Sequence, residues 1–221
     1  MQGQHASRKD EGLPEDSIVF CCFNNAPKFR PETFSTWMRL LKAVEGSVLW
    51  LSDPGPAAIR NLSREAEDHG VAAERVVFAR HLASQEDHFA RIPLADIFLD
   101  TLPYNARTTA NDALWAGVPV VTLAGEALAG RVATSLLHAI GLPELVTTSL
   151  AEYEAMALRL SADLAHLSAV RATLERNRLS CPLFDTRRFT RHIEAAYATM
   201  WEIRQRGEAP RNFAVEAIDP V

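Results

Sequence analysis

Apolar positions along this chain follow two alternating patterns. Residues 17–23, SIVFCCF, form a continuous apolar run of strand length. PETFSTWMRLLKAVEG then sets Phe34, Trp37, Met38, Leu41 and Val44 at helical spacing. Pro31 in the first turn and Gly46 just past the end fit the punctuation of a helix. SVLWLS (47–52), RVVFA (75–79), ADIFLD (95–100) and VPVVTL (118–123) read as further strands. Between them, AAIRNLSREAEDHG (57–70), SQEDHFARI (84–92) and the short apolar segment Ala113–Ala116 read as helices. Strands this uniformly apolar are covered by helices on both faces. The predicted fold is therefore α/β, a Rossmann-like doubly wound parallel sheet. After residue 128 the pattern turns mostly helical. LAGRVATSLLHAIG is one helix, LPELVTT holds a short sixth strand, residues 149–179 form one or two helices, and DTRRFTRHIEAAYATMWEIRQRG is the last.

The polar ends set the predicted boundaries: residues 1–16 a disordered leader, 17–207 the folded domain, 208–221 a loose tail. The leader has no apolar stretch of the kind a secretory signal needs. A chain of 221 residues with 48% hydrophobic content is enough for one large domain. Its net charge of −5 gives no electrostatic case for nucleic acid or an anionic membrane. No apolar run is long enough to span a bilayer. Cys21 and Cys22 are neighbours on one strand and point to opposite faces, so they do not bridge each other; with Cys181 the count is odd. A reduced, cytoplasmic setting is the simplest expectation. The six arginines from Arg171 to Arg191 read as a solvated helix face in preference to a nucleic-acid surface. Trp37, Trp50, Trp115 and Trp201 fall at apolar-face or strand positions and are expected in the core.

In such a sheet a ligand sits beyond the carboxyl ends of the strands. The loops there carry most of the unusual polar residues: 23–32, SDPGP, 79–88, 100–112 and 124–131. The most unusual is NARTTANDALWAG, where a short helix opens on two threonines. Its first backbone N–H groups lack intrahelical partners and the helix dipole is positive there, which suits a phosphate. The same spacing also fits a capping box, Asp112 bonding back to Thr109. A carboxylate at Asp112 could alternatively accept bonds from ribose hydroxyls, and Pro103 and Tyr104 stiffen the loop. Lys28, after the first strand, is placed to neutralise a phosphate or to be a solvated loop lysine. His88 could stack on a base, although most lone histidines do not. No HExxH, CxxC or Asp-x-Asp occurs, so a metal is not expected, and no GxGxxG follows the first strand, which argues against a dinucleotide cofactor.

FCCFNNAPKFRPETFSTWMRLLKAVEGSVLWL, DIFLDTLPYNARTTANDALWAGVPVVTLAGEALAGRVATSLL and CPLFDTRRF, taken in order, resemble the carboxyl-terminal part of the protein O-GlcNAc transferases. The resemblance runs from Ser17 to Gly207 and is most specific at DTLPYN-x-x-TT-x-x-DALWAG-x-P. It implies the UDP-binding C-terminal lobe of a GT-B glycosyltransferase, using UDP-N-acetylglucosamine as donor and protein Ser/Thr hydroxyls as acceptors. By position, Lys28 matches the lysine beside the diphosphate, and Asn25 stands where Gln is common. Ala83 matches a position whose backbone reads uracil, and Gln85 replaces a lysine of the animal enzymes. His88 and Arg91 match residues at the nucleotide base. Thr108 and Thr109 match the diphosphate-binding pair, and Asp112 the ribose contact. Two departures stand out: Arg107 replaces the histidine that usually precedes the threonines, and Pro27 replaces an aromatic. Arginine is larger and permanently charged, so it would either tighten UDP or obstruct the sugar. The family's N-terminal catalytic lobe, with its proposed general base, and its tetratricopeptide repeats have no counterpart in these residues. Three functions stay open: a donor-binding lobe inactive without its partner, a UDP-binding module without transfer, and an interaction domain with a vestigial site. In GT-B enzymes the last helix often returns to the first lobe, so Tyr197, Met200 or Trp201 is expected to be unusually exposed.

Overall fold

A computed structural model describes residues 6–218. Six parallel strands form one sheet: β1 (Val19–Cys22), β2 (Val48–Ser52), β3 (Val76–Ala79), β4 (Ile97–Leu99), β5 (Val120–Leu123) and β6 (Val146–Thr147). Their order is β3-β2-β1-β4-β5-β6. The chain runs outward from β1 to β3, then crosses back beside β1 and runs outward the other way. This is the Rossmann arrangement, and it leaves a crevice where β1 and β4 diverge. In register, Phe20 pairs with Leu49 on one side and Ile97 on the other.

Eight helices accompany the strands among the described residues. Five precede the sixth strand: α1 (Pro31–Ala43), α2 (Pro56–Asp68), α3 (Gln85–Arg91), α4 (Thr108–Trp115) and α5 (Val132–Ile140). Three follow it: α6 (Leu150–Ala162), α7 (Leu164–Asn177) and α8 (Thr186–Gln205). Residues 149–179 thus form two helices, divided at Asp163, whose side chain accepts the His166 N–H as the cap of α7. Gly46, with φ +72°, closes the chain after α1 in a left-handed conformation that suits glycine.

Every residue of β1 is buried, as continuous apolar strands require. Trp37 and Trp50 are fully buried. Trp37 Nε1 donates to Tyr153 Oη at 3.1 Å, and Tyr153 Oη donates to the Asp100 carbonyl at 3.0 Å. This chain of bonds ties α1 and α6 to the end of β4.

Three expectations need correction. The leader is not detached: of residues 1–16, those from 6 onward are described and pack on the domain, while residues 1–5 lie outside the described residues. Arg8 donates to the carbonyls of Leu94, Pro14, Glu15 and Ser17 and to Asp96 Oδ2 at 2.7 Å, and Leu13 is buried. One arginine satisfying several carbonyls anchors a segment that has almost no apolar signal. Trp115 and Trp201 are not core; they are 44% and 64% exposed. Trp115 ends α4 and meets Phe184 edge-on at 5.0 Å. The arginine series is also not uniformly solvated: Arg171 donates to the Ala95 carbonyl at 2.7 Å and pairs with Asp96, and Arg178 donates to the Trp115 carbonyl at 2.7 Å.

The last helix behaves as expected. Tyr197 and Met200 are 65% and 50% exposed, and with Phe189, Ile193 and Trp201 they form an apolar stripe along α8. Ile203 is the only buried residue of that helix. Residues 209–218 have no regular secondary structure, although the Ile218 N–H donates to His192 Nε2; residues 219–221 lie outside the described residues.

Candidate functional site

The crevice between β1 and β4 opens into a cleft of about 320 Å³ lined by Phe23, Asn25, Lys28, Tyr104, Arg107, Thr108 and Thr109, with Asn24 beneath. Two elements supply these groups. The turn after β1 carries Asn25 and Lys28, and the start of α4 carries the threonines. Lys28 Nζ donates to the Asn105 carbonyl at 3.1 Å and lies 4.4 Å from the Tyr104 ring centre. Arg107, exposed at the N-cap of α4, packs its guanidinium 5.1 Å from the other cation's partner, the same Tyr104 ring. Two cations and the positive end of a helix therefore border one small cleft. Burial pushes the Lys28 amine below its ordinary value, the nearby Asp100 carboxyl pulls it up, and Arg107 pushes it down.

The capping box is absent. α4 begins at Thr108 with Arg107 as its N-cap, two residues earlier than a cap at Thr109 requires, and Asp112 falls beyond its first turn. The Thr109 hydroxyl instead donates to Asn24 Oδ1 at 2.7 Å. Asp112 sits half-buried one turn along α4, and burial raises its carboxyl above the ordinary range.

A second hollow of about 270 Å³ adjoins the first through Phe23 and Thr109 and is lined by Asp53, Arg80, His81, Leu82, His88 and Arg91. Arg91 is buried; it donates to the Arg80 carbonyl at 2.7 Å and lies 3.6 Å from Glu11 of the N-terminal segment. It also approaches His88 Nδ1 at 3.2 Å. A guanidinium has no acceptor, so His88 Nδ1 accepts and the neutral ring carries its hydrogen on Nε2. Burial, Arg91 and His81 all lower the His88 pKa, which agrees with the neutral form. Ala83 and Gln85 are exposed at the adjoining loop and the first turn of α3, and neither lines the two hollows.

The structure thus gathers Asn25, Lys28, Arg107, Thr108 and Thr109 at one end, and His88 and Arg91 at the other. It adds residues that pattern reading passes over. Asp100, at the end of β4, is buried, with Oδ1 accepting the Thr101 and Ala106 N–H groups at 2.7 and 2.6 Å. Its Oδ2 accepts the Thr122 hydroxyl at 2.7 Å. Burial nevertheless raises its pKa to about 6. Asn24 and Glu11 belong to the same supporting layer. The available signal was an Asp closing an apolar strand directly before a Pro-containing loop. That loop is held closely: a Cβ on Gly130 would stand 3.0 Å from the Pro103 carbonyl, so only glycine fits without a shift.

Among the described residues, no group of three or more His, Cys, Asp or Glu is arranged to hold a metal ion. Among them also, no helix is long and apolar enough to cross a membrane.

Comparison with known proteins agrees with this geometry. The family model "Glycosyl transferase family 41" matches residues 4–193, which includes most of the N-terminal segment. The chain is 41% identical over 209 residues to a probable UDP-N-acetylglucosamine–peptide N-acetylglucosaminyltransferase, SEC, of Arabidopsis thaliana, covering 94% of this chain and 21% of that one. It is 39% identical over 201 residues to the UDP-N-acetylglucosamine–peptide N-acetylglucosaminyltransferase of Caenorhabditis elegans, covering 91% and 17%. The chain thus spans about a fifth of the length of these relatives. Among solved structures, an O-GlcNAc transferase mutant of Thermobaculum terrenum superposes with a TM-score of 0.81 at 37% identity, over 88% of this chain and 40% of that one. WaaG, a glycosyltransferase involved in lipopolysaccharide biosynthesis, shares the fold alone, with a TM-score of 0.61 at 16% identity, over 80% and 46%. With its switch-point cleft, its strand order and these matches, the chain belongs to glycosyl transferase family 41 and has the fold of one Rossmann-like lobe of a GT-B glycosyltransferase.

Proposed function

We propose that this chain is the donor-binding lobe of an inverting, metal-independent transferase that moves N-acetylglucosamine from UDP-N-acetylglucosamine to protein Ser/Thr hydroxyls. The observation that carries the reading is the joined pair of hollows at the switch point: cations and a helix start at one end, a neutral histidine at the other. In this reading the diphosphate lies against Lys28, Arg107 and the start of α4, with Asn25 beside it. The uridine extends toward His88, Arg91, the Ala83 backbone and Gln85, and Asp112 accepts from the ribose.

The difficult part of the transfer is the charge that builds on the leaving UDP. Lys28 and the backbone N–H groups at the start of α4 would stabilise that charge from fixed positions. The proton of the acceptor hydroxyl must go to a base outside this chain. That base, the acceptor site and the tetratricopeptide repeats belong to an N-terminal part of a longer protein, and the lobe alone does not transfer sugar. The exposed stripe on α8 supports a covering partner of this kind.

A second reading is a UDP-binding or protein-interaction module without transfer. Arg107 favours it, because the guanidinium stands over Tyr104 at the mouth of the cleft, where a sugar would leave the diphosphate. Transfer to an acceptor peptide on adding a matching N-terminal lobe separates the two readings.

The donor-lobe reading is tested by thermal unfolding with UDP, UMP, uridine and ADP. A ligand at a hundred times its Kd stabilises by about 2.7 kcal/mol. The expected order is UDP above UMP above uridine, with ADP ineffective. Equal stabilisation by ADP, or none by UDP at millimolar concentration, would overturn it.

A further inference from the structure

Asn24 is the second residue past β1, 1% exposed, and the contacts above use only its amide oxygen. Its orientation is dictated by its neighbours. The NH₂ donates to Thr101 Oγ1 at 2.8 Å and lies 3.4 Å from Asp100 Oδ1. Both are acceptors toward it. Asp100 Oδ1 already takes two backbone N–H groups, and the Thr101 hydroxyl gives its hydrogen to the Tyr104 carbonyl at 2.7 Å. Asn24 must therefore turn its NH₂ inward and its carbonyl oxygen toward α4. There the oxygen receives the Thr109 hydroxyl.

The polarity continues to the cleft. A threonine hydroxyl has one hydrogen, and that of Thr109 is committed to Asn24. The lone pairs that Thr109 keeps would meet a phosphate oxygen with like polarity. Thr108, exposed at the first helical position, has no such inward commitment in this chain of bonds. Asn24 also joins the two elements that build the cleft, since it leads into the turn carrying Lys28 and holds the start of α4.

We propose that Asn24 is a positioning residue that divides the threonine pair: Thr109 anchors α4 to the end of β1, and Thr108 supplies the hydroxyl that meets phosphate. The phosphate half of this statement rests on the donor-lobe reading; the anchor does not.

The test compares Asn24→Ala, Thr109→Val, Thr108→Val and their pairwise combinations in the full chain. UDP and uridine affinities are measured by calorimetry, and hydrogen exchange is followed at the amides of Asn111–Ala113, the first hydrogen-bonded amides of α4. Asn24→Ala and Thr109→Val should each weaken UDP about tenfold. Because they break one bond, their double variant should be no weaker than the worse single. Thr108→Val should multiply with either. Uridine binding should change less than about twofold, and exchange at Asn111–Ala113 should quicken in both anchor variants but not in Thr108→Val. Multiplying effects of Asn24→Ala and Thr109→Val, or equal losses for uridine and UDP, would overturn the proposal. If Asn24→Ala does not fold, Thr109→Val must still give the UDP-specific loss and the faster exchange, and their absence is equally fatal. Failure of the unaltered chain to bind UDP would refute the donor-lobe reading and with it the phosphate role of Thr108. The anchor is then judged by exchange, which would overturn it if unchanged in Thr109→Val.

Discussion

Replacing Asp100 with asparagine should change how the stability of this domain depends on pH. Two effects compete at this carboxyl. Hydrogen bonds from the Ala106 and Thr101 N–H groups, the Thr122 hydroxyl and the Asn24 amide favour the charged form. Complete burial disfavours it and wins, raising the pKa from 3.8 to about 6. The folded state therefore holds this proton more tightly than the unfolded chain does. The resulting stability is fully present below pH 3.8 and is lost as pH rises through 6. At about 1.4 kcal/mol for each tenfold change in proton affinity, the shift is worth about 3 kcal/mol. Asp100→Asn keeps the size of the side chain and removes the titration. Urea unfolding of both chains at several pH values isolates the group. On acidification from about pH 7 to about pH 4, the unaltered chain should gain roughly 2 kcal/mol relative to the variant, the remainder appearing only below pH 3.8. A flat difference would refute the reasoning. So would a loss on acidification, because it would mean that the hydrogen bonds outweigh burial.

Two further substitutions test the packing. Arg8→Ala should cost about 2–3 kcal/mol, because the guanidinium serves four carbonyls and Asp96; an unchanged urea midpoint would mean that the N-terminal segment is not part of the domain. Trp37→Ala should cost about 3–5 kcal/mol, whereas Trp201→Ala should stay within about 0.5 kcal/mol; comparable losses from the two would contradict the exposed stripe on α8.

Much of the fold is legible in the sequence because burial on both faces leaves a plain trace. Val19–Cys22 and Val48–Leu51 have no polar residue to assign to a solvent side, and each is a buried strand. The cleft is legible at its rim for the opposite reason: Lys28, Thr108 and Thr109 are polar groups clustered at strand ends. The layer beneath the rim is not. Asn24 and Asp100 read as ordinary loop residues until the fold brings β1 and β4 side by side, 76 positions apart in the chain. Arg8 acts through backbone carbonyls, which no side-chain pattern encodes. Trp115 and Trp201 have the right periodicity for a core, but periodicity names a face without saying what covers it. The capping box failed on a two-residue offset: Thr109 fits the motif as a cap, but Arg107 caps α4 and the Thr109 hydroxyl has a better partner in Asn24.

The central claim is that the start of α4 and Lys28 build a diphosphate site. Calorimetric titration of the full chain with UDP, beside a Thr108→Ala/Thr109→Ala variant, tests it most directly. The account predicts binding between about micromolar and low-millimolar Kd for the unaltered chain, and its loss in the variant. UDP binding that the variant retains undiminished, or no binding by the unaltered chain, would contradict it.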